Sequence, residues 1–489
     1  MADSKQSSEI DLQQIGFDPA DAKTALAQLP TSPAVFALYG ADAHAEPYIG
    51  RTPNLRARLA RLLQPSDKHP RRLQLAGRVR QIRWRLIGSE FEALLGQFTL
   101  LEQIYGAKAL ERMHLGAPSF IRYLGSNPYP RITVTNHPSQ REAGWAYGPF
   151  QSRATAERFA EEALKLFLLR RCTEELEPSP SHPGCVYSEM KMCLAPCYKG
   201  CTDERYAEEA AAVEQFLATR GESRLITLRA QREEASAKLD FENAAALHAQ
   251  VQRVESVKAL ASELVRPLLQ LRAVVLQASA NPGEVAVFLY ENGRFSGPAG
   301  FSTLGMRIQN EQSGSTSLFA HPMAIEAIPE APGPKAEPEV QVSSEAEAPI
   351  DSAELMRGLK FHPSEQKSLS EDPGKPPPPS DSSSSADCNS ATSEVRATDA
   401  DTPMKLARGV LEARMEAALA ELSAPSGPIS ATIRQGHLAL LKRWYYRAEI
   451  RRSGEIFFPN AEGRWPVKAL LRGVGRVAGK MVAAGNHTG

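Results

Sequence analysis

The chain has 489 residues, and its 57 basic side chains balance 57 acidic ones. That length allows two to four domains and a sizeable core, and the balance excludes a uniformly charged surface as the basis of function. Six cysteines are too few to staple a secreted protein, the polar start "MADSKQSSEIDLQQIG" lacks an apolar leader segment, and no apolar run of about 18 residues is present; a cytoplasmic protein with no membrane partner is expected.

Residues 30–107 alternate short apolar runs with helical patterns. "AVFALY" and "PYIG" read as strands, "NLRARLARLL" has apolar residues at helical spacing, and "RVRQIRWRLI" alternates as a third strand. "SEFEALLGQFTLLEQIYG" opens with Ser89 followed by Glu92, a capping-box spacing, and reads as an amphipathic helix. The order is β-β-α-β-α, a small α/β domain. Residues 117–202 hold the strand-like "YPRITVT" and "GWAYGPF", a helix over 151–171 and a cysteine segment over 172–201. Residues 203–262 are rich in Ala, Glu, Leu, Arg and Gln and read as helical. A break at Leu239-Asp240-Phe241 suggests two antiparallel helices. Residues 266–304 carry the strand runs "RAVVLQAS" and "EVAVFLYENGRFSG", with Asn292-Gly293 as a hairpin signal. From 306 to 404 proline, serine, glutamate and alanine dominate, a composition expected to stay disordered. Residues 405–481 return to helices ("LARGVLEARMEAALAEL", "HLALLKRWYYRAEI") and one strand ("GEIFFP").

Two features carry chemistry. The charge is locally uneven: ten arginines and Lys68 lie between Arg51 and Arg85, opposed only by Asp67. Such clustering is the electrostatic footprint of a nucleic-acid backbone, although a solvated surface has the same composition. Arg51, Arg56, Arg61, Arg71 and Arg72 are the DNA-binding candidates. Five of the six cysteines crowd into Cys172–Cys201. The spacing Cys172-x12-Cys185-x7-Cys193-x3-Cys197 suits four thiolates on zinc or an iron–sulfur cluster, with Cys201 as a spare; buried free thiols are the alternative.

The motifs converge on one resemblance. "SPAVFALY…PYIGRTPNLRARL" is similar to the opening of a GIY-YIG nuclease. Together with "YPRITVT", "AYGPFQSRATAERFAEEALKLFLLRRC", "CLAPC" at 193–197 and "ASAKLDFENAAAL" at 235–247, it makes residues 30–300 resemble the UvrC component of excinuclease ABC, the nucleotide-excision-repair endonuclease. In such nucleases a tyrosine hydroxyl, or a water it positions, attacks the phosphate. An arginine stabilises the developing charge, and a glutamate holds one divalent cation. The resemblance puts Tyr48 at the second tyrosine, Gly50 at the tight turn, Arg58 at the catalytic arginine, and Arg51 where the family usually has lysine. Two positions depart from it. The first tyrosine is Phe36, which has no hydroxyl. The metal glutamate is Gln97, a poor ligand for Mg²⁺ or Mn²⁺. Glu92 and Glu102 each lie five residues from Gln97 and so off its helix face. The resemblance also implies an iron–sulfur cluster as the occupant of the cysteines. It further implies docking on UvrB, the partner component of excinuclease ABC, through Leu239, Phe241 and Glu242, where a self-contained coiled coil is the alternative.

The expected fold class is therefore α/β, a small GIY-YIG-type mixed sheet with helices. To it are added a cysteine segment, a helical hairpin, a disordered insert and an incomplete RNase H-like remnant beginning at 266. Thirty residues follow Pro459, with no Asp or Glu after Glu462, so no second carboxylate-metal nuclease core is expected from them. The expected function is DNA-binding, UvrB-binding excision repair with cutting weakened or lost. An active single-incision endonuclease using Mg²⁺ or Mn²⁺, and a non-catalytic scaffold, are the alternatives.

Overall fold

The computed structural model describes residues 12–42, 44–64, 75–139, 141–304, 306, 401–423 and 429–485. They build three four-stranded antiparallel sheets clad in helices.

The first sheet holds β1 (Gln13–Gly16), β2 (Ala34–Gly40), β3 (Tyr48–Thr52) and β4 (Val79–Leu86) in the order β1-β4-β2-β3. Its helices are α1 (Ala22–Ala27), α2 (Leu55–Leu63), α3 (Glu90–Tyr105) and the single turn α4 (Ala109–Arg112). The expected β-β-α-β-α series is β2, β3, α2, β4 and α3. β1 was not legible, because "QQIG" has little β propensity and owes its strand form to pairing with β4. One face of the sheet buries Phe36, Leu38, Ile82 and Trp84 against α1 and α2, and the other packs Val35 on α3.

The expectation of an amphipathic α3 needs correction. The helix is apolar on two sides: Ala93 and Leu100 face the first sheet, while Phe91, Leu94, Leu95, Phe98 and Leu101 join a second cluster. Its start is a capping box with a shifted return bond. Ser89 Oγ accepts from the Glu92 N–H at 3.1 Å, and the Glu92 carboxylate accepts from the Gly88 N–H at 2.9 Å rather than from Ser89.

The middle of the chain forms a sheet in the order β6-β5-β7-β8, from β5 (Ser119–Tyr123), β6 (Ile132–Thr135), β7 (Ala146–Phe150) and β8 (Arg266–Pro267). Against it lie α5 (Arg153–Leu164), the turn α6 (Val186–Glu189), α7 (Asp203–Ala218), α8 (Glu222–Ala237) and α9 (Phe241–Ala259). The helix expected over 151–171 stops at Leu164. Beyond it the chain leaves helical form, burying Phe167, Leu169 and Arg170, whose guanidinium donates to the carbonyls of Tyr129 and Glu174. The region 203–262 holds three helices, of which α8 and α9 are the expected antiparallel pair.

The third sheet joins β9 (Ala273–Ala278), β10 (Glu284–Glu291) and β11 (Arg294–Ser302) to β12 (Glu455–Phe457) in the order β11-β10-β9-β12. The strand pair expected over 266–304 is thus three strands, and Asn292-Gly293 makes the β10–β11 turn with both residues at positive φ, 52° and 87°. α10 (Asp401–Leu422) and α12 (Val467–Gly485) cover one face of this sheet. α11 (Ala431–Tyr445) lies on the other, packed with α3 and with Phe120 of the middle sheet. The disorder expected over 306–404 falls outside the described residues, apart from Met306 and 401–404, with which α10 opens.

Candidate functional site

β3 is the edge strand of the first sheet, and its side chains alternate across that edge. Tyr48 and Gly50 face the α2 side, and Ile49 and Arg51 face the α3 side. α2 follows directly, capped by Asn54 Oδ1, which accepts from the Ala57 N–H at 2.9 Å. That start points Arg58 back over the edge, and its Nη2 donates to Tyr48 Oη at 3.3 Å. Around this pair lies a cavity of about 300 Å³ lined by Phe36, Tyr48, Gly50, Arg51, Arg58 and Gln97, with Arg112, Met113 and Arg443 closing its far wall.

Phe36 lies directly across from Gly50 in the strand register and is 0% exposed. A Cβ on Gly50 would sit 2.8 Å from the Phe36 ring, so the glycine is required by the ring's close approach. The ring centroid stands 6.1 Å from that of Tyr48. Phe36 thus closes the floor of the cavity with carbon where a hydroxyl would project, and Gln97 reaches it from α3.

No carboxylate lines this cavity among the described residues. Glu92 is buried at the start of α3, 3.8 Å from Arg85, and burial raises its pKa above the usual carboxylate range. Glu102 faces the other way, 4.0 Å from His437 Nε2, and is likewise raised by burial. Neither reaches the place of Gln97. Two further acids stand just outside the cavity. Glu90 takes both Nη1 and Nη2 of Arg447, at 2.6 and 2.7 Å, and lies 3.6 Å from Arg51; the Arg447 hydrogen bond is the main cause of its lowered pKa. Glu46 pairs with Arg112 at 3.0 Å, and the Arg112 guanidinium lies over the Tyr105 ring, 4.0 Å from its centroid.

The basic run of the sequence is not one patch. Arg51 and Arg58 enter the cavity. Arg56 donates through Nε to the Leu29 carbonyl at 2.7 Å, Arg61 is exposed on α2, and Arg71 and Arg72 lie outside the described residues. Arg83 stacks on Tyr39 and Arg85 faces Glu92. Sequence reasoning missed Arg112 and Arg443. The available signal was in α11, where the exposed Arg443 stands beside the apolar Leu440, Leu441 and Trp444.

The cysteine segment folds over the middle sheet with all five thiols free of disulfides. Burial, with smaller contributions from Cys185, Cys197 and Cys172, raises the pKa of the Cys193 thiol. Burial, followed by the charge of Asp203, raises the pKa of Cys201 as well, with Arg205 opposing. The four thiols are the soft donors that zinc or iron would take. Among the described residues, however, no group of three or more His, Cys, Asp or Glu side chains is close enough to hold a metal ion.

At the hairpin, α8 ends at Ala237. Leu239 adopts a positive φ of 59°, and Asp240 caps α9 by accepting from the Asn243 N–H at 3.2 Å. The turn leaves Leu239 72% and Phe241 66% exposed, with Glu242 exposed beside them. Two large apolar side chains thus stand exposed at a tight, capped turn, flanked by the exposed Asp240 and Glu242.

A model of the UvrC/Cho excinuclease middle domain matches residues 120–216, and one of the UvrB/uvrC motif matches residues 222–257. The relatives include the UvrABC system protein C of Alcanivorax borkumensis, 29% identical over 243 residues, which are 50% of this chain and 39% of the relative. That of Ruminiclostridium cellulolyticum is 27% identical over 306 residues, 61% of this chain and 49% of the relative. The chain thus covers less than half the length of these relatives, and over its middle it carries the UvrC-type domain and UVR motif that the sequence resemblance implied. No solved structure matches. No helix among the described residues is long and apolar enough to cross a membrane.

Proposed function

We propose that this chain is a UvrC-like nucleotide-excision-repair protein that holds a DNA phosphate in its N-terminal cavity, docks UvrB through the hairpin, and cuts weakly or not at all. One observation carries the reading. The cavity gathers Tyr48, Arg51 and Arg58 as a GIY-YIG-type site would, yet holds Phe36 and Gln97 where the chemistry wants a hydroxyl and a carboxylate. Guanidiniums grip phosphate oxygens without a cation. Activating a nucleophile and polarising the scissile phosphate need more than that. The hydroxyl of Tyr48 accepts from Arg58, which leaves its own proton free to donate to a phosphate oxygen.

The matches to the UvrC middle domain and the UVR motif support the placement in excision repair, and the exposed Leu239, Phe241 and Glu242 support the hairpin as the contact to UvrB. Cys172, Cys185, Cys193 and Cys197 are the residues that would hold a zinc ion or iron–sulfur cluster. Such a group would supply a cross-link fastening this arm to the middle sheet. The third sheet, closed by β12, is the candidate remnant of an RNase H-like unit.

The test is incision of a damaged duplex with UvrA and UvrB and either Mg²⁺ or Mn²⁺. Wild type and Arg58→Ala are expected to cut equally little, while Arg58→Ala weakens DNA binding about tenfold, the loss of one charge-assisted contact. Efficient incision by wild type that Arg58→Ala abolishes would overturn the loss of cutting.

A further inference from the structure

We infer that the cavity is a receptor for a terminal phosphate monoester on a nucleic-acid strand, completed by Arg443 from helix α11. This rests on the reading of the cavity as a phosphate site and goes beyond it, to the chemical form of the phosphate and the segment that recognises it.

The charge count carries the argument. Four guanidiniums (Arg51, Arg58, Arg112 and Arg443) line the cavity, and two of them face a carboxylate, Arg112 facing Glu46 and Arg51 facing Glu90. Both acids lie outside the lining, and Glu90 is held in a two-nitrogen grip by Arg447. The enclosed charge is therefore strongly positive. A phosphodiester within a strand carries one negative charge and offers two non-bridging oxygens. A terminal monoester carries close to two charges at pH 7 and offers three acceptor oxygens. Several guanidinium forks converging on one cavity match the second better. The neighbouring phosphates of a continuous strand are spread along the backbone and cannot enter together.

Geometry favours an end as well. The floor is closed by the buried Phe36 ring, the α4 side by Met113 and by Arg112 clamped between Glu46 and Tyr105, and the α11 side by Arg443. At about 300 Å³ the cavity lies at the small end of ligand sites, enough for a terminal phosphate with part of its sugar. With no carboxylate in the lining, no divalent cation is called for to bind it.

The experiment measures binding of the full chain, in EDTA, to recessed duplexes that differ only at the recessed end: 5′-phosphate, 3′-phosphate or hydroxyl. Wild type is expected to prefer one phosphorylated end over the hydroxyl end at least about tenfold. Arg443→Gln, an exposed change, is expected to erase that preference, read as the ratio of the two affinities, and Arg443→Lys to retain part of it. Equal binding of phosphate and hydroxyl ends by wild type overturns the inference. If Arg58→Ala then weakens all three duplexes alike, the cavity is a grip on internal backbone and the broader reading stands. If Arg58→Ala changes none of them, the broader reading falls too.

Discussion

Gln97 stands where the proposed site lacks a carboxylate. Its amide lies among guanidiniums, with Glu92 and Glu102 both engaged elsewhere. Gln97→Glu keeps the size and adds one hard oxygen ligand. Mn²⁺ titration followed by electron paramagnetic resonance is expected to show at least about tenfold tighter binding in the variant than in wild type. Identical titrations would mean that the amide is not what keeps a cation out. At this scale much was legible, because Tyr48, Arg51, Arg58, Phe36 and Gln97 are close in sequence to a recognisable motif and the fold brings all five together. Arg112 and Arg443 were not. Arg112 is placed by Glu46 and Tyr105, and Arg443 comes from more than three hundred residues beyond β3, so only tertiary packing puts them there.

The hairpin α8–α9 shows how an element can be read almost completely from local chemistry. Leu239 takes the left-handed turn position and Asp240 the cap, while Phe241 opens the next helix with its ring outward. A 66% exposed ring contributes little to folding but much to a partner's pocket. Phe241→Ala is therefore expected to leave stability within about 0.5 kcal/mol in urea denaturation, and to weaken UvrB binding by on the order of 2 kcal/mol in calorimetry. Unchanged UvrB affinity would instead favour a self-contained coiled coil. α3 was misread for the opposite reason. Its second apolar side meets α11, and a helix buried on two sides does not show the one-sided stripe that periodicity detects. Gly436 on α11 confirms how tightly that contact is drawn, since a Cβ there would collide with the Phe98 ring.

For the molecule as a whole, the joint between α3, α11 and the third sheet contains a buried histidine. His437 Nδ1 accepts from the Phe295 N–H at 3.4 Å, and burial, helped by the field of Arg294, lowers its pKa from 6.5 to about 3. A base whose folded pKa is depressed stays neutral in the fold while the unfolded chain takes up a proton. Its stabilisation is therefore complete above about pH 6.5 and is lost as pH falls toward 3. Urea denaturation between pH 7 and pH 4 is expected to show wild type losing up to about 1.4 kcal/mol per pH unit more than His437→Gln. Parallel pH profiles would show that His437 does not govern the joint.

β12 and helices α10 to α12 supply the edge strand and both covers of the third sheet, although the chain between Ser302 and Asp401 separates them from β11. Val274, Leu276, Val285 and Val287 thus find their partners, among them Met415, Leu419, Leu470 and Val474, only after a long detour in sequence. Closing such a loop is an entropic cost that rises with the logarithm of its length, about 0.6 kcal/mol for each doubling. The length of that detour is therefore almost decoupled from the stability of the sheet, which leaves the intervening chain able to grow, shrink or change composition while the cavity keeps its arginine from the far side.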